Sequence, residues 1–446
     1  MIIGTFVKNT SLTLLARILV FPLNTAVSII LARLLGPEGK GIYTLATLLP
    51  MLIVTFANLG IGPATVYYVA QRRYPRQKIL GNNIMFALVI GTLGVLGGLI
   101  VTLFFRQSIF PGVVQTYLLI ALALIPGNLL FTYLQHILLG AQRFKEYNLV
   151  TIFRALFFLA FIVIGLWGLR AGVGGAIVAG ALAWLLTDVI LFVWAKRIAG
   201  GISFKLNLAY LKRASIYGLQ AHLGNILAFL NYRIDMFLVN GFLNPAEVGF
   251  YSIGVSLAEK LWLISQTASI VLFPRAAGET DEQRRKEFTP LVARTVLWGT
   301  ALGALALALV SHWIVLLLYS EAFLPSVRPL QILLVGIVAL SVARVLASDI
   351  AGRGRPILNT YVSVAALGTN VILNLIWIPR YGITGAAWAS TVSYSLTLVT
   401  RLYLYCRLSG NPWTKVLLPQ RGDWVLYWRM GLALGQWVKA KVRAVL

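Results

Sequence analysis

Leu35-Gly36-Pro37-Glu38-Gly39-Lys40-Gly41-Ile42-Tyr43-Thr44-Leu45-Ala46 returns without a gap as Leu243-Asn244-Pro245-Ala246-Glu247-Val248-Gly249-Phe250-Tyr251-Ser252-Ile253-Gly254. The proline, the last glycine of the first copy and the tyrosine are identical, at an offset of 208 residues. Near the end of each half, Gly172-Val173-Gly174-Gly175-Ala176 aligns with Gly382-Ile383-Thr384-Gly385-Ala386 at an offset of 210. Two pairs at nearly one offset mark two copies of a unit, each about half of the 446 residues.

The unit is apolar. The chain is 59% hydrophobic and 11% charged, with a mean hydropathy of +0.84, whereas soluble domains carry about 25% charged residues. Its apolar stretches of about 20 residues have the length a helix needs to cross a bilayer. Forty glycines and 12 tryptophans suit closely packed helices and interfacial aromatic belts. The expectation is an all-α integral membrane protein, and internal duplication is a common build for membrane transporters. In a soluble protein the net charge of +25 would suggest nucleic acid. Here basic residues retain loops in the cytoplasm and meet anionic lipid, so no nucleic-acid partner is expected. The single cysteine, Cys406, excludes an internal disulfide and a cysteine-based metal cluster. The run after Lys8 is long and lacks a small-residue cleavage site, so it reads as a first span rather than a signal peptide.

Breaking the apolar runs at charge and turn clusters gives twelve spans, near 10–34, 42–70, 80–104, 112–139, 147–168, 173–195, 214–241, 247–273, 290–318, 327–349, 357–378 and 383–405. An even six spans per half inserts both copies in the same orientation, so two six-helix bundles should be related by a pseudo-two-fold axis along the membrane normal. The expected domains are an N-terminal bundle over 1–198, a cytoplasmic linker over 199–213, a C-terminal bundle over 214–408 and a basic tail over 409–446. With the amino terminus in the cytoplasm, the inner segments hold 25 lysines and arginines and the outer loops six. The positive-inside rule then places both termini on the inner face of the cytoplasmic membrane. The tail, with Trp424, Trp428, Arg429, Lys439 and Lys441, fits an amphipathic helix lying on that face.

Seven basic residues lie within the spans: Arg17, Arg154, Arg233, Lys260, Arg294, Arg344 and Arg401. Four acids share that depth: Asp188, Asp235, Glu259 and Asp349. Ionisable groups in a bilayer are costly and mark pathways or paired sites, and this excess of cations points to an anionic substrate. At 100° per residue, Thr10, Thr13, Arg17, Asn24 and Ser28 fall within about 40° of one line along span 1. Thr44, Thr47, Thr55, Asn58 and Thr65 line span 2, while His222, Asn225, Arg233 and Asn240 share one face of span 7. Gln220, Asn231 and Asp235 lie roughly opposite, and Ser363, Asn370 and Asn374 line span 11. Any one Asn or Thr can be a helix–helix hydrogen bond, but four stripes from both halves favour a water-accessible cavity.

Arg154 and Asp188 stand at equal depth on adjacent spans, so a structural ion pair is expected. Arg294, Arg401 and Asp349 are close enough to the inner surface to snorkel. Pro22 should bend span 1. His136, His222 and His312 lack ligand spacing, so no metal site and no cofactor are expected, and no catalytic motif points to an enzyme.

Leu34-Leu35-Gly36-Pro37-Glu38-Gly39-Lys40-Gly41-Ile42-Tyr43, followed by Leu59-Gly60-Ile61-Gly62-Pro63-Ala64, resembles the oligosaccharide-lipid flippases of O-antigen, capsule and exopolysaccharide export. These belong to the superfamily that also holds the MATE multidrug exporters. Leu139-Gly140-Ala141-Gln142-Arg143-Phe144-Lys145-Glu146-Tyr147-Asn148 and Val271-Leu272-Phe273-Pro274-Arg275 extend the resemblance over residues 8–408. It implies a V-shaped, MATE-like pair of six-helix bundles alternating between inward-open and outward-open states. It also implies a polyprenyl-diphosphate-linked oligosaccharide as substrate, surrounding membrane lipids, other polysaccharide assembly proteins as partners, and a monomer. Drug exporters of the superfamily rely on acids in span 1 or 7; here span 1 carries Arg17, while Asp235 keeps a cation-coupled antiporter as the alternative. Peptidoglycan lipid flippases, a further alternative, typically have fourteen spans.

The expected substrate site is therefore Arg17, Asn24, Asn58, Asn225, Arg233, Lys260, Arg344, Asn370 and Asn374, with Asp235 and Glu259 as coupling-ion candidates. Cations would hold the diphosphate and amides the sugar hydroxyls.

Overall fold

The computed structural model describes residues 2–278, 282–420 and 422–423. Among these the chain is helical, with no strand. A bilayer interior leaves no alternative for a chain without a closed barrel, because every backbone N–H and C=O must be satisfied within the segment. Eight helices are long and apolar enough to span, and two of them, Leu12–Ala57 and Pro356–Ser409, are double length. The first is broken at Gly36 (φ 67°) and the second at Gly382 (φ 59°), so each holds two spans. Leu208–Phe242 and the pair Pro245–Glu259 and Trp262–Gly278 complete the set. They are the more polar spans 7 and 8, carrying Arg233, Asp235 and Lys260. The twelve spans of the sequence are thus present. The expected tail helix over 424–446 lies outside the described residues.

Several of the described spans depart from a regular α-helix. Span 2 is interrupted at Leu59 (φ 48°) and Gly60 (φ 69°). Span 5 ends in a π-helix over Val163–Gly168. Span 8 tightens at Lys260 and Leu261, whose amides bond three residues back to Leu257 and Ala258.

The chain packs as two compact units. The first comprises residues 1–255, 311–330 and 370–389. One core joins spans 3, 4, 5 and 6 through Leu80, Phe131, Leu134, Val150 and Leu191. Another joins spans 1, 5 and 6 through Val27, Leu31, Ile162 and Ala176, with Tyr43 packed against it. The second unit comprises 256–310, 331–369 and 390–446, and its core gathers Leu272, Val296, Val342, Leu346, Tyr405 and Val416.

Within the first unit the two copies of the repeated segment meet. A Cβ on Gly41 would overlap the Pro245 carbonyl, and a Cβ on Gly249 would overlap the Pro37 carbonyl. Position for position these are one contact made twice, because Pro37 corresponds to Pro245 and Gly41 to Gly249. Only glycine permits this approach of backbone to backbone. The shorter repeat is preserved in conformation as well: Gly172 and Gly382 both adopt φ 59°.

The duplication extends past the sixth span of each copy. Gly200 (φ 75°) and Gly410 (φ 70°), 210 residues apart, both cap a helix in the left-handed conformation. After each the chain forms a strap laid against the start of the third span of its own half. In the first strap, Gln77 donates to the Gly200 carbonyl (2.7 Å), Asn82 donates to the Lys205 carbonyl (3.1 Å), and Asn82 Oδ1 accepts from the Asn207 amide (2.8 Å). In the second, Asn411 donates to the Lys286 carbonyl (2.9 Å), Arg294 donates to the Lys415 carbonyl, and Arg294 grips Asp423.

Candidate functional site

In span 1, Arg17 is half-buried and Asn24 exposed. One turn before Arg17, Thr13 Oγ1 accepts from Asn148 Nδ2 of span 5 at 3.1 Å. The neighbouring Tyr147 is the phenol on which the Arg17 charge acts. Arg17 therefore faces span 5, and among the described residues no carboxylate lies within salt-bridge distance of it. In span 2, Thr44, Thr47 and Thr55 each donate at 2.8 Å to a carbonyl four residues back on their own helix. That stripe is satisfied locally. Asn58 differs: its carbonyl accepts from Tyr133 Oη (3.0 Å), while its buried Oδ1 has no hydrogen-bond partner in the structure.

Span 7 carries Asn225, exposed, and Arg233, half-buried, whose Nη1 donates to the Tyr232 carbonyl at 3.1 Å. Asp235 is 1% exposed. Its Oδ2 accepts from Tyr251 Oη (2.6 Å) and its Oδ1 from the Met236 amide (2.8 Å). Tyr251 is the repeat's tyrosine, and residue 235 corresponds to Val27 at the repeat offset. The first copy packs its tyrosine on an apolar side chain where the second hydrogen-bonds a carboxylate.

Asn370 and Asn374 are fully buried, and Asn374 Nδ2 donates to the carbonyl and Oδ1 of Asn370 (2.8 and 3.0 Å). In the second unit, Glu259 and Lys260 sit half-buried at the break of span 8, and the Arg344 guanidinium lies 3.9 Å from the centroid of the Trp262 ring just beyond it. Such stacking holds a guanidinium in place.

Two expectations are corrected. Among the described residues no contact of salt-bridge length joins Arg154 to Asp188. The guanidinium lies instead over Trp184 (4.6 Å) and Phe131 (5.2 Å), acting on Asp188 through space. Aromatic faces at that depth offer the cation a berth that needs no carboxylate. Nor do Arg294 and Asp349 snorkel. Arg294 is 4% exposed, with Nε and Nη2 bonded to Asp423 at 2.7 and 2.8 Å. Asp349, fully buried, accepts from Thr289 Oγ1 (2.6 Å) and from Arg353, which also reaches Glu282 at 2.6 Å. Arg401 donates to the Ala343 carbonyl at 3.3 Å. Paired in this way, the charges no longer need to reach water. The hydrogen bonds from Arg294 hold the Asp423 carboxyl below its ordinary range.

The structure thus gathers Arg17 with Thr13, Tyr147 and Asn148, Asp235 with Tyr251, Asn370 with Asn374, and Arg344 with Trp262. Tyr147, Tyr251 and Trp262 escaped the sequence reading. For Tyr251 the signal was present, since the repeat places it opposite residue 235.

Residues 6–277 match the family described as Polysaccharide biosynthesis protein, and residues 221–376 match the one described as MatE. The first match spans more than half of the chain. The chain belongs to the polysaccharide biosynthesis protein family. Within reach of the family, it is 24% identical over 397 residues to a Shigella flexneri protein named "Putative O-antigen transporter", covering 85% of this chain and 92% of that one. It is 22% identical over 210 residues to the capsular polysaccharide biosynthesis protein CapF of Staphylococcus aureus, covering 46% and 53%. Among solved structures, the lipid II flippase MurJ in an inward closed conformation superposes with a TM-score of 0.73 at 14% identity, covering 96% of this chain and 93% of that one. An inward-facing MATE family transporter of the MOP superfamily gives 0.72 at 16% identity, covering 87% and 94%. These two show the shared fold. The chain is thus a multi-pass membrane protein of this family, with the fold that those two transporters share.

Proposed function

We propose that the chain flips a polyprenyl-diphosphate-linked oligosaccharide across the cytoplasmic membrane, from inner to outer leaflet, for surface polysaccharide synthesis. The supporting observation is Arg17: a half-buried guanidinium within span 1 whose charge acts on Tyr147 of span 5, with no carboxylate in salt-bridge reach among the described residues. A cation kept un-neutralised at that depth is costly unless an anion visits it. Arg233 joins Arg17 as a diphosphate ligand in the first unit, Lys260 and Arg344 are the candidate phosphate ligands of the second, Asn24, Asn58 and Asn225 meet sugar hydroxyls, and the prenyl chain stays in lipid. The moving bodies are the halves 1–198 and 214–408, with both termini in the cytoplasm, and the protein works as a monomer among membrane lipids and other assembly proteins. The Gly41–Pro245 and Gly249–Pro37 contacts then close the outer side. Outward movement of a diphosphate follows an inside-negative potential, at about 2.3 kcal/mol per charge per 100 mV.

Arg17→Glu or Arg233→Glu should abolish surface polysaccharide while the protein still reaches the membrane folded. Lys at either position should restore part of it, keeping charge without the bidentate grip. Normal polysaccharide in the double Glu variant overturns the reading. Asp235, buried against Tyr251 in the second half alone, favours a second reading, a cation-coupled exporter. Loss of dye efflux together with intact polysaccharide in Asp235→Asn would select it.

A further inference from the structure

The two halves treat their basic residues differently on the side of the straps. In the second half three guanidinium groups are matched, Arg353 with Glu282 and Asp349, Arg285 with Glu282 (3.3 Å), and Arg294 with Asp423, whereas in the first half Arg143 pairs with its neighbour Glu146. In the first half, Arg72, Arg73, Arg76, Lys205, Lys212 and Arg213 have no acid between residues 61 and 83 or between 199 and 216. Among the described residues none of the six forms an ion pair. The positive-inside rule asks for an excess of Lys and Arg, and the second half meets it with acids interspersed, so the bare surface of the first half goes further than topology requires.

These charges stand on a rigid base. Tyr68, Tyr74 and Tyr210 meet edge to face, with centroids 5.5 Å (68–74), 5.4 Å (74–210) and 5.8 Å (68–210) apart. Tyr210 Oη donates to Asn83 Oδ1 (2.9 Å), and Asn83 Nδ2 donates to Thr65 Oγ1 (2.8 Å), tying spans 2 and 3 to the strap. Arg213 Nη1 donates to the Tyr74 hydroxyl at 3.3 Å, which aims the guanidinium. Arg73 and Arg213 both act on the Tyr68 phenol, so they share one locality. Arg72 and Arg73 are exposed in the turn beside it, Arg72 with φ 53°.

We propose that this tyrosine-backed basic surface of the first half is a binding site for phosphate-bearing lipid headgroups of the inner leaflet. Guanidinium forks held on a rigid platform recognise phosphate oxygens in bidentate fashion, at a lower ordering cost than free side chains. The ligand is an anionic phospholipid or the diphosphate of the cargo before it enters the spans. The orientation, inner leaflet against outer, rests on the flippase reading above.

The test is titration of full-length protein by native mass spectrometry, with phosphatidylglycerol against phosphatidylcholine and with geranylgeranyl diphosphate against geranylgeraniol. The Arg73→Gln/Arg213→Gln variant should bind the phosphate-bearing anions roughly thirty-fold more weakly, given about 1 kcal/mol for each basic residue near an anionic surface. A control that removes two exposed charges from the second half, Arg355→Gln/Arg407→Gln, should leave binding unchanged. Equal losses in both variants, or none in the first, overturn the proposal. Weaker phosphatidylglycerol binding identifies a leaflet lipid as ligand, and weakening confined to the diphosphate identifies the cargo. Should the double variant fail to fold, Arg73→Gln alone, which breaks no hydrogen bond in the structure, carries the comparison. No glycan enters the assay, so the surface can fail while export still depends on Arg17, and the reverse.

Discussion

The two straps do the same mechanical job with opposite chemistry. After Gly200 the chain is held by neutral amides, Gln77 and Asn82, and by a phenol, Tyr210. After Gly410 it is held by a buried guanidinium–carboxylate pair and an asparagine. The same divergence runs into the membrane, where Tyr43 packs near Val27 and Tyr251 donates to Asp235. Duplication has kept what the backbone needs, the left-handed caps and turns at equal φ. It has let polarity drift, so that paired charge concentrates in the second copy. A turn admits few residue types, whereas a polar partner can be exchanged for an apolar one wherever both sides change together.

Asp423→Ala should give the largest effect. It leaves Arg294 buried without its partner, at a cost of about 3–5 kcal/mol, read as a lowered unfolding midpoint and lost hydrogen-exchange protection over 410–420. The double replacement Arg294→Met/Asp423→Leu should recover most of it; no recovery would mean that the pair does more than fill space. Tyr251→Phe should come next. It removes a hydrogen bond to a buried carboxylate and costs about 1–3 kcal/mol, while Tyr43→Phe should stay within about 0.5 kcal/mol. Equal effects at the two tyrosines would erase the contrast between the copies. In the neutral strap, Asn82→Ala should cost roughly 1–2 kcal/mol.

Acid gives the smallest and most selective effect. The Asp423 carboxyl is held below its ordinary value of 3.8 by Arg294. A depressed acid contributes its stabilisation fully at neutral pH and loses it as pH falls through the lowered folded-state value. Exchange protection of the second strap should therefore decline near and below pH 3.8, while the first strap, which has no carboxylate, keeps its protection. Parallel loss in both straps would point to global unfolding.

Most of the architecture was legible in the sequence, because apolar length, basic loops and the repeated glycines are local signals. Charge partnerships were not. Arg294 and Asp423 stand 129 residues apart, and nothing in either neighbourhood names the other. Arg154 misled for the opposite reason: Asp188 is a natural partner at matching depth, and the rings of Trp184 and Phe131 that receive the guanidinium read as ordinary lipid-facing or core residues. The asparagine stripe of span 11 was visible, but the bond from Asn374 back to Asn370 was not.

The contact between the repeated segments has a consequence for the origin of the chain. Pro37 meets Gly249 while Pro245, its counterpart, meets Gly41. An interface in which position i touches j while j touches i is isologous, the kind that two identical subunits make about a two-fold axis. A half-length ancestor could have assembled through this one contact as a homodimer, each proline carbonyl seated on the other subunit's glycine. Fusion would then have joined the partners through a strap that the first subunit had already folded for itself.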